Sequence, residues 1–308
     1  MSAPHPRPPI ALSIAGSDPS GGAGIQADLK TFSALGAYGT CVITALTAQS
    51  TRGVTHVHEV PVDIVRAQID TLVADVRIDV VKIGMLASSE LVGTVHTALT
   101  SGPLAEVPVV LDPVMVATSG ARLLADDAVA AVRELVGRAD VITPNLPEAA
   151  VLLGEDPADR DEDLHAQAQR LAAAGARRVL LKGGHLEGAE SVDVWLDATA
   201  PEGERPVGFG SSGGSGRLGG SGSSMGALRT VELRAPRIDT ESTHGTGCTL
   251  SSALAALRPR HDDWLPAVRE AKEWLTDALR HGHLLGVGTG AGPVHHFHEQ
   301  PRWGAVNG

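Results

Sequence analysis

Residues 242–252 have the sequence STHGTGCTLSS, in which a polar turn with two glycines leads directly into an apolar helical pattern. That spacing predicts a loop from Gly245 to Gly247 over the N-terminus of a helix. The apolar positions that follow are Leu250, Ala253, Leu254, Ala256 and Leu257. Free backbone N–H groups and the positive pole of the helix dipole favour binding of a phosphate at such an end.

Cys248 falls in the first turn of this predicted helix. The helix dipole lowers the pKa of a thiol at that position, which makes it a candidate base or nucleophile at neutral pH. The alternative is a glycine-rich helix start that carries a small buried cysteine. Composition alone favours that alternative.

The N-terminal part of the chain predicts a glycine-rich turn between a strand and a helix. An apolar run from Ile10 to Ala15 predicts a buried strand, and a helix starts near Ile25 after the turn. The segment 40–47 predicts a second buried strand, with Gln49 at its carboxyl end. Ligands bind at that end of the strands in open α/β sheets.

Strand and helix patterns alternate through the rest of the chain, which predicts an α/β fold with a mostly parallel sheet and helices on both faces. An antiparallel edge is expected from pairing of 191–197 with 231–233. The predicted helices cover 63–76, 88–99, 126–136, 162–174 and 264–281, and the predicted strands cover 80–83, 107–111, 141–143 and 179–181.

Composition narrows the class of protein. The 308 residues carry a net charge of −11, which argues against a nucleic acid or an anionic membrane as partner. The chain has no run of eighteen apolar residues, so no membrane span is expected. Two cysteines, Cys41 and Cys248, are too few for a disulfide framework and fit a reducing cytoplasm.

We expect one domain over 10–300, flanked by a proline-rich tail over 1–9 and a C-terminal tail over 301–308. Fifteen of the nineteen residues in 208–226 are Gly or Ser, which predicts a flexible surface insertion at about 200–229. The G-x-G-x-x-G match at 208–213 is a chance hit, because it neither follows a clear strand nor opens a helix.

The sequence Gly245-Thr246-Gly247-Cys248 resembles the G-x-G-D anion-hole motif of ribokinase-like kinases, with Cys in place of Asp. Residues 243–251 resemble the signature of the hydroxymethylpyrimidine/phosphomethylpyrimidine kinases of thiamine biosynthesis. Five more segments are similar to that family's motifs, in the same order: 15–28 (AGSDPSGGAGIQAD), 82–86 (KIGML), 112–115 (DPVM), 143–149 (TPNLPEA) and 182–185 (KGGH). The resemblance implies a ribokinase-like three-layer fold.

The resemblance also implies roles in phosphoryl transfer. Gly245, Thr246 and Gly247 would stabilise the transferring phosphoryl group through their backbone N–H groups. Three residues would bind ATP: Lys182, Asn145 and Thr246. Three would bind Mg²⁺: Glu148, Asp112 and Asn145. A capping box explains Asn145 and Glu148 equally well, and a solvated side chain explains Lys182.

For the pyrimidine, the resemblance points to a pocket formed by Gln49, Gly16, Met85 and Val114. An amide offers both a donor and an acceptor to an aminopyrimidine edge. Asp28, placed in the first turn of its helix, would orient the substrate, or would merely interact favourably with the helix dipole.

Cys248 would take the proton of the hydroxymethyl group in a first phosphorylation, as the family resemblance implies. A second phosphorylation needs no base, because the attacking phosphate is already ionised.

Three readings of the function remain open from the sequence. The first is the pyrimidine kinase, with ATP, Mg²⁺ and a homodimer implied by the family. The second is a pyridoxal kinase, and the third is a non-catalytic pyrimidine-binding sensor. The histidines at 295, 296 and 298 could form a metal site or a tag remnant, but their string resembles the family's own C-terminus and lacks a carboxylate or cysteine ligand.

Overall fold

Strands and helices alternate along the chain in the computed structural model, which describes residues 7–115, 128–157, 160–184, 188–199 and 229–300. The strands are β1 (Ile10–Ala15), β2 (Tyr38–Ile43), β3 (Ala45–Ser50), β4 (Gly53–Glu59), β5 (Val80–Ile83), β6 (Val109–Leu111), β7 (Val141–Ile142), β8 (Arg178–Lys182), β9 (Glu190–Asp197) and β10 (Arg229–Pro236). The helices are α1 (Gly24–Ala34), α2 (Val62–Asp75), α3 (Ser89–Thr100), α4 (Ala128–Arg138), α5 (Leu146–Leu153), α6 (Asp161–Ala173), α7 (Thr246–Leu257) and α8 (Trp264–His281).

An eight-stranded sheet in the order β10-β9-β8-β7-β6-β5-β1-β2 forms the middle layer. Its strands from β8 to β2 in that order are parallel, and β9 runs antiparallel to both β8 and β10. Successive residues of a strand face opposite layers: Leu12 packs in the core beneath α2 to α6, and Ala11 packs beneath α1, α7 and α8. The predicted three-layer α/β fold is confirmed.

The segment 40–47 is not one strand, and that prediction was wrong. β2 ends at Ile43, and Thr44 turns the chain by donating its side-chain hydroxyl to Met85 O at 2.8 Å. β3 then pairs antiparallel with β4 in a separate two-stranded sheet. Gln49 therefore lies inside β3, on a hairpin that follows the carboxyl edge of the main sheet, and not at the end of a central strand.

Elements with strong local patterns follow their prediction closely. α8 spans Trp264–His281, the predicted range, and β9 pairs with β10 antiparallel with Asp197 opposite Arg229. The predicted insertion and the two tails lie mostly outside the described residues. In the described part of the chain, no helix combines the length and apolar character that a membrane span requires.

Candidate active site

A cavity of about 710 Å³ runs along the carboxyl edge of the parallel strands. One end, which we call the β1–β3 end, is lined by Gly16 and Gln49. The opposite end is lined by residues of β9 and α8, among them Asp193 and Lys272. The N-terminus of α7 opens between the two ends, so a ligand at either end can reach it.

α7 begins at Thr246, inside the predicted glycine loop, with Gly245 as its N-cap at a φ of 75°. A side chain at Gly245 would collide with the carbonyl of Gly22, so this left-handed turn requires glycine. The N–H of Thr246 bonds to Thr243 O at 3.3 Å. Among the described residues, the N–H groups of Gly247 and Cys248 bond to no backbone carbonyl, and both residues line the cavity. This arrangement can hold an anion.

The Cys248 thiol does not have the lowered pKa that its helix position predicts. Burial raises its pKa to about 11, against the positive charge of Lys82 and a hydrogen bond from the N–H of Gly24, and the carboxylates of Asp28 and Asp112 raise it further. The cost of removing a thiolate from water therefore exceeds the help of the helix dipole. A pKa of about 11 favours the protonated thiol at neutral pH.

Asp28 does not line the cavity, although the sequence placed it near the substrate. It is the fifth residue of α1 and is fully buried. Lys82 Nζ lies 2.9 Å from both of its oxygens, and the hydroxyls of Ser13 and Ser252 each donate to it at 2.6 Å. Asp28 thus holds the buried Lys82, which does line the cavity. Burial opposes the Lys82 charge, but Asp28 keeps the pKa of Lys82 above its usual range.

Two carboxylates share one ammonium group in the middle of the cavity. Lys182 Nζ lies 3.0 Å from Asp112 Oδ1 and 3.9 Å from Glu148 Oε2, and its side chain is only 15% exposed. A solvated Lys182 is therefore excluded. Burial raises the pKa of Glu148 to about 7, because Lys182 offsets the cost of burial only in part and Asp112 adds to it.

Asn145 and Glu148 form the capping box that the sequence allowed. Asn145 Oδ1 accepts from the Glu148 N–H at 2.8 Å, and Glu148 Oε2 accepts from the Asn145 N–H at 2.8 Å. In the described residues no group of three or more His, Cys, Asp or Glu side chains could hold a metal ion. Asp112 and Glu148 nevertheless fit Mg²⁺, which prefers oxygen ligands, keeps several waters and shares phosphate oxygens.

A buried hydrogen bond between His244 and Asp18 joins the two glycine-rich segments of the site. His244 Nε2 lies 2.7 Å from Asp18 Oδ2, and the N–H groups of Gly22 and Ala23 donate to the same oxygen. Burial acts to raise the pKa of Asp18, but the hydrogen bonds from His244 and Ser20 lower it to about 2. Asp18 therefore remains a carboxylate and fixes the strand-to-helix turn after β1 against the loop before α7.

A model of the phosphomethylpyrimidine kinase family matches residues 18–205 and 224–295. The chain belongs to the phosphomethylpyrimidine kinase family. It is 51% identical over 289 residues to the hydroxymethylpyrimidine/phosphomethylpyrimidine kinase of Escherichia coli K12, with 94% of this chain and 97% of that protein covered.

Solved structures agree with this assignment. A phosphomethylpyrimidine kinase from Clostridium difficile 630 is 34% identical, with a TM-score of 0.68 over 88% of this chain and 99% of that one. The pyridoxal kinase from Staphylococcus aureus in complex with AMP-PCP and pyridoxal is 28% identical, with a TM-score of 0.78 over 96% of each chain. The protein is thus a kinase with a ribokinase-like fold.

The fold brings almost all of the predicted site residues of this kinase to one cavity. The lining includes Cys248, Gly245, Thr246, Gly247, Gln49, Gly16, Met85, Val114, Lys182, Asn145, Glu148 and Asp112. Asp28 alone of the predicted residues is absent from this lining.

Three charged groups of the cavity had no assigned role in the sequence analysis: Lys82, the Asp18–His244 pair and the Lys272–Asp193 pair. Asp18 and His244 are 226 residues apart, so no local pattern connects them. Lys82 is the one charged residue in the apolar strand pattern of 80–83, and an isolated charge in a buried strand indicates a functional or paired group. That signal was available in the sequence.

Proposed function

We propose that this kinase transfers the γ-phosphoryl group of ATP to 4-amino-5-hydroxymethyl-2-methylpyrimidine and then to its monophosphate, for thiamine biosynthesis. The observation that carries the proposal is that one cavity contains both the free N–H groups at the start of α7 and the Gln49 amide. An anion site and a heterocycle site that open to each other can align a phosphoryl donor and its acceptor.

Residues at different positions along the cavity bind different parts of the two substrates. Gln49, Gly16, Met85 and Val114 hold the pyrimidine at the β1–β3 end. The N–H groups of Gly247 and Cys248, with Thr246, stabilise the charge that develops on the transferring phosphoryl group.

Charge compensation belongs to the middle of the cavity. Lys182 holds phosphate oxygens there, beside Asn145, Asp112 and Glu148. Bound Mg²⁺ supplies charge neutralisation, and the oxygens of Asp112 and Glu148 are the groups that would hold it, through water.

Cys248 is the proposed proton acceptor of the first step. The transfer breaks the bond between the γ-phosphorus of ATP and its bridging oxygen and forms one to the hydroxymethyl oxygen, whose proton passes to the Cys248 sulfur. The thiol must first lose its own proton to water, a loss that Lys82 favours and that Asp28 and Asp112 oppose. The second step has no such requirement, because its nucleophile is a phosphate oxygen.

Mass spectrometry of the products tests this function. Purified protein is incubated with Mg-ATP and the hydroxymethylpyrimidine, and with pyridoxal in a parallel tube. We expect the pyrimidine monophosphate first and the diphosphate later. Product from pyridoxal alone would reassign the protein to a pyridoxal kinase, and absence of product in both tubes would support the sensor.

We further propose that the protein is a homodimer of the cytoplasm. The family resemblance supports the dimer, and two unpaired cysteines, Cys41 and Cys248, suit a reducing compartment. Light scattering coupled to size-exclusion chromatography measures the mass of the assembly, and a monomeric mass would contradict the dimer.

A further inference from the structure

The Gln49 amide lies between two groups that fix which of its atoms faces which side. As placed in the structure, the amide nitrogen lies 3.5 Å from His244 Nε2 and the amide oxygen lies 3.1 Å from Thr47 Oγ1. A rotation of 180° about the last side-chain bond exchanges the amide oxygen and nitrogen, so the protons of the neighbours decide the orientation.

His244 Nε2 has no lone pair with which to accept a hydrogen bond from Gln49. Its Nε2 lies 2.7 Å from Asp18 Oδ2, and Asp18 is 1% exposed and accepts from Ser20, Gly22 and Ala23 as well. A carboxylate surrounded by donors has no proton to give, so His244 Nε2 carries the proton of this bond. A donor on Gln49 would therefore meet another donor at His244, and an amide oxygen is the group that fits there.

Thr47 can only accept from Gln49. A threonine hydroxyl has one proton, and Thr47 Oγ1 lies 2.8 Å from the carbonyl oxygen of Ser17, which can only accept. The hydroxyl proton is therefore directed at Ser17. The amide atom 3.1 Å from Thr47 Oγ1 must then be the nitrogen, because an oxygen there would leave two acceptors facing each other.

We infer that Thr47 and the Asp18–His244 pair are specificity-determining residues, which lock the Gln49 amide with its oxygen toward His244 and its nitrogen toward Thr47. The two lateral positions of the amide are occupied by these neighbours. Its remaining edge offers one oxygen lone pair and one N–H in a fixed order to the cavity. Gln49 is thus not an adaptable amide that turns to suit its ligand.

This inference rests on the proposed function and deepens it. A 4-aminopyrimidine presents an amino donor beside the ring nitrogen N3, an acceptor, which matches the locked edge. The amino group then lies on the His244 side and N3 on the Thr47 side. Because the 5-hydroxymethyl group is adjacent to the 4-amino carbon, it also lies on the His244 side, toward the residues that lead into α7. The opposite amide orientation would direct the hydroxymethyl group away from the site of transfer.

The test compares two pyrimidines whose hydrogen-bonding order is reversed. The 4-oxo analogue, 5-hydroxymethyl-2-methylpyrimidin-4-one, presents an N3–H donor and a carbonyl acceptor. We expect the wild-type kinase to prefer the 4-amino compound by about 100-fold or more in kcat/KM, since the analogue leaves buried groups mispaired. Pyridoxal has no donor next to its ring nitrogen, so it gains nothing from this edge.

Variants of the two locking groups separate specificity from structural support. Thr47→Val removes the acceptor and should reduce the 4-amino to 4-oxo preference by roughly fivefold, whereas Thr47→Ser retains the hydroxyl and should keep the preference. His244→Phe removes the second lock, and the double variant should lose most of the remaining preference. A merely structural role would lower kcat/KM for both compounds equally, and an unchanged ratio in the double variant would overturn the inference.

The same experiment separates this inference from the proposed function. If the wild-type protein phosphorylates neither pyrimidine, the proposed function fails, and the ratio of the two dissociation constants, measured by calorimetry, replaces the ratio of kcat/KM. Preferential binding of the 4-amino compound that decreases in the double variant supports the lock. Equal binding of the two compounds by the wild type contradicts it.

Discussion

At the β1–β3 end of the cavity, the Asp18 carboxylate is matched by His244 and by several backbone N–H groups. In the middle of the cavity, Asp112 and Glu148 have Lys182 as their shared cation. The pKa of Asp18 is lowered to about 2, whereas the pKa of Glu148 is raised to about 7. A region that is electrostatically complete suits recognition of a neutral ring, and a region with excess carboxylate suits a cation-bound polyphosphate.

The largest expected effect comes from Cys248, which lies where the two regions meet. Cys248→Ala should slow the first phosphorylation by about 10² to 10⁴-fold, because the hydroxymethyl proton loses its acceptor. The second phosphorylation should change by less than about tenfold, since its nucleophile is already ionised. Single-turnover assays from the alcohol and from the monophosphate measure the two steps. Equal losses in both would assign Cys248 a packing role.

Glu148 tests whether the middle of the cavity has an excess of carboxylate charge. Its folded-state pKa of about 7 exceeds the ordinary value of 4.5, so the folded protein binds more protons between these values and stability falls as the pH rises from 4.5 to 7. Without Mg²⁺, Glu148→Gln should therefore be more stable than wild type at pH 8 by about 1–3 kcal/mol, and similar to it near pH 5. Urea unfolding at both pH values measures this.

The exposed Glu134 on α4 provides the matched control for this experiment. Glu134→Gln carries the same change of charge and should leave the pH dependence of stability as in wild type. A Glu148→Gln protein that is less stable than wild type at pH 8 would mean that the middle of the cavity is not short of positive charge.

Asp18 tests the β1–β3 end, where the carboxylate is fully matched by donors. Its contribution to stability rises with pH, opposite to that of Glu148. Its lowered pKa contributes stability that is present above pH 3.8 and is lost as the pH falls through 2. Asp18→Asn should cost about 2 kcal/mol in free energy of unfolding at pH 7, and about half of that at pH 3. Urea unfolding of both proteins measures the difference. A deficit that is the same at pH 7 and pH 3 would indicate lost packing rather than lost charge.

The smallest effect is expected at the far end of the cavity. Lys272 Nζ lies 2.6 Å from Asp193 Oδ2, and Lys272→Met leaves that carboxylate without its cation. An unpaired negative charge repels phosphate groups, so the KM for ATP should rise about tenfold while the KM for the pyrimidine stays unchanged. Lys272→Arg is the control that keeps the charge. A rise in the pyrimidine KM instead would contradict our proposal that the pyrimidine lies at the β1–β3 end and that ATP extends toward Lys272.

The fold was predictable because its signals are local. The helical periodicity of 264–281 predicted the bounds of α8, and the alternating Val192, Val194 and Leu196 predicted the strand β9, although β9 is buried on both faces. The end of β2 was missed because Thr44 belongs to a β-rich run, and the turn is marked by long-range bonds such as those from Thr44 to Met85 O and Ala15 O. A contact between residues so far apart in the sequence cannot be predicted from a local pattern.

The residues that line one cavity were predicted more accurately than their electrostatics, and their roles in the reaction stay predictions. The motif residues reach one cavity, as the resemblance implied. The direction of the Cys248 pKa was wrong, because burial and two carboxylates decide it and neither is visible from a helix position. Asp28 was misplaced for a similar reason: its partner Lys82 comes from another strand, and a carboxylate near a helix start looks the same whether it faces a ligand or a buried lysine.

The antiparallel pairing of Asp197 with Arg229 bears on how this enzyme can be altered. The connection between β9 and β10 leaves and re-enters the sheet at directly opposed residues, so its ends are held together whatever its length. Each doubling of a flexible loop costs only about 0.6 kcal/mol. An engineer can place a reporter domain there and leave the catalytic cavity intact.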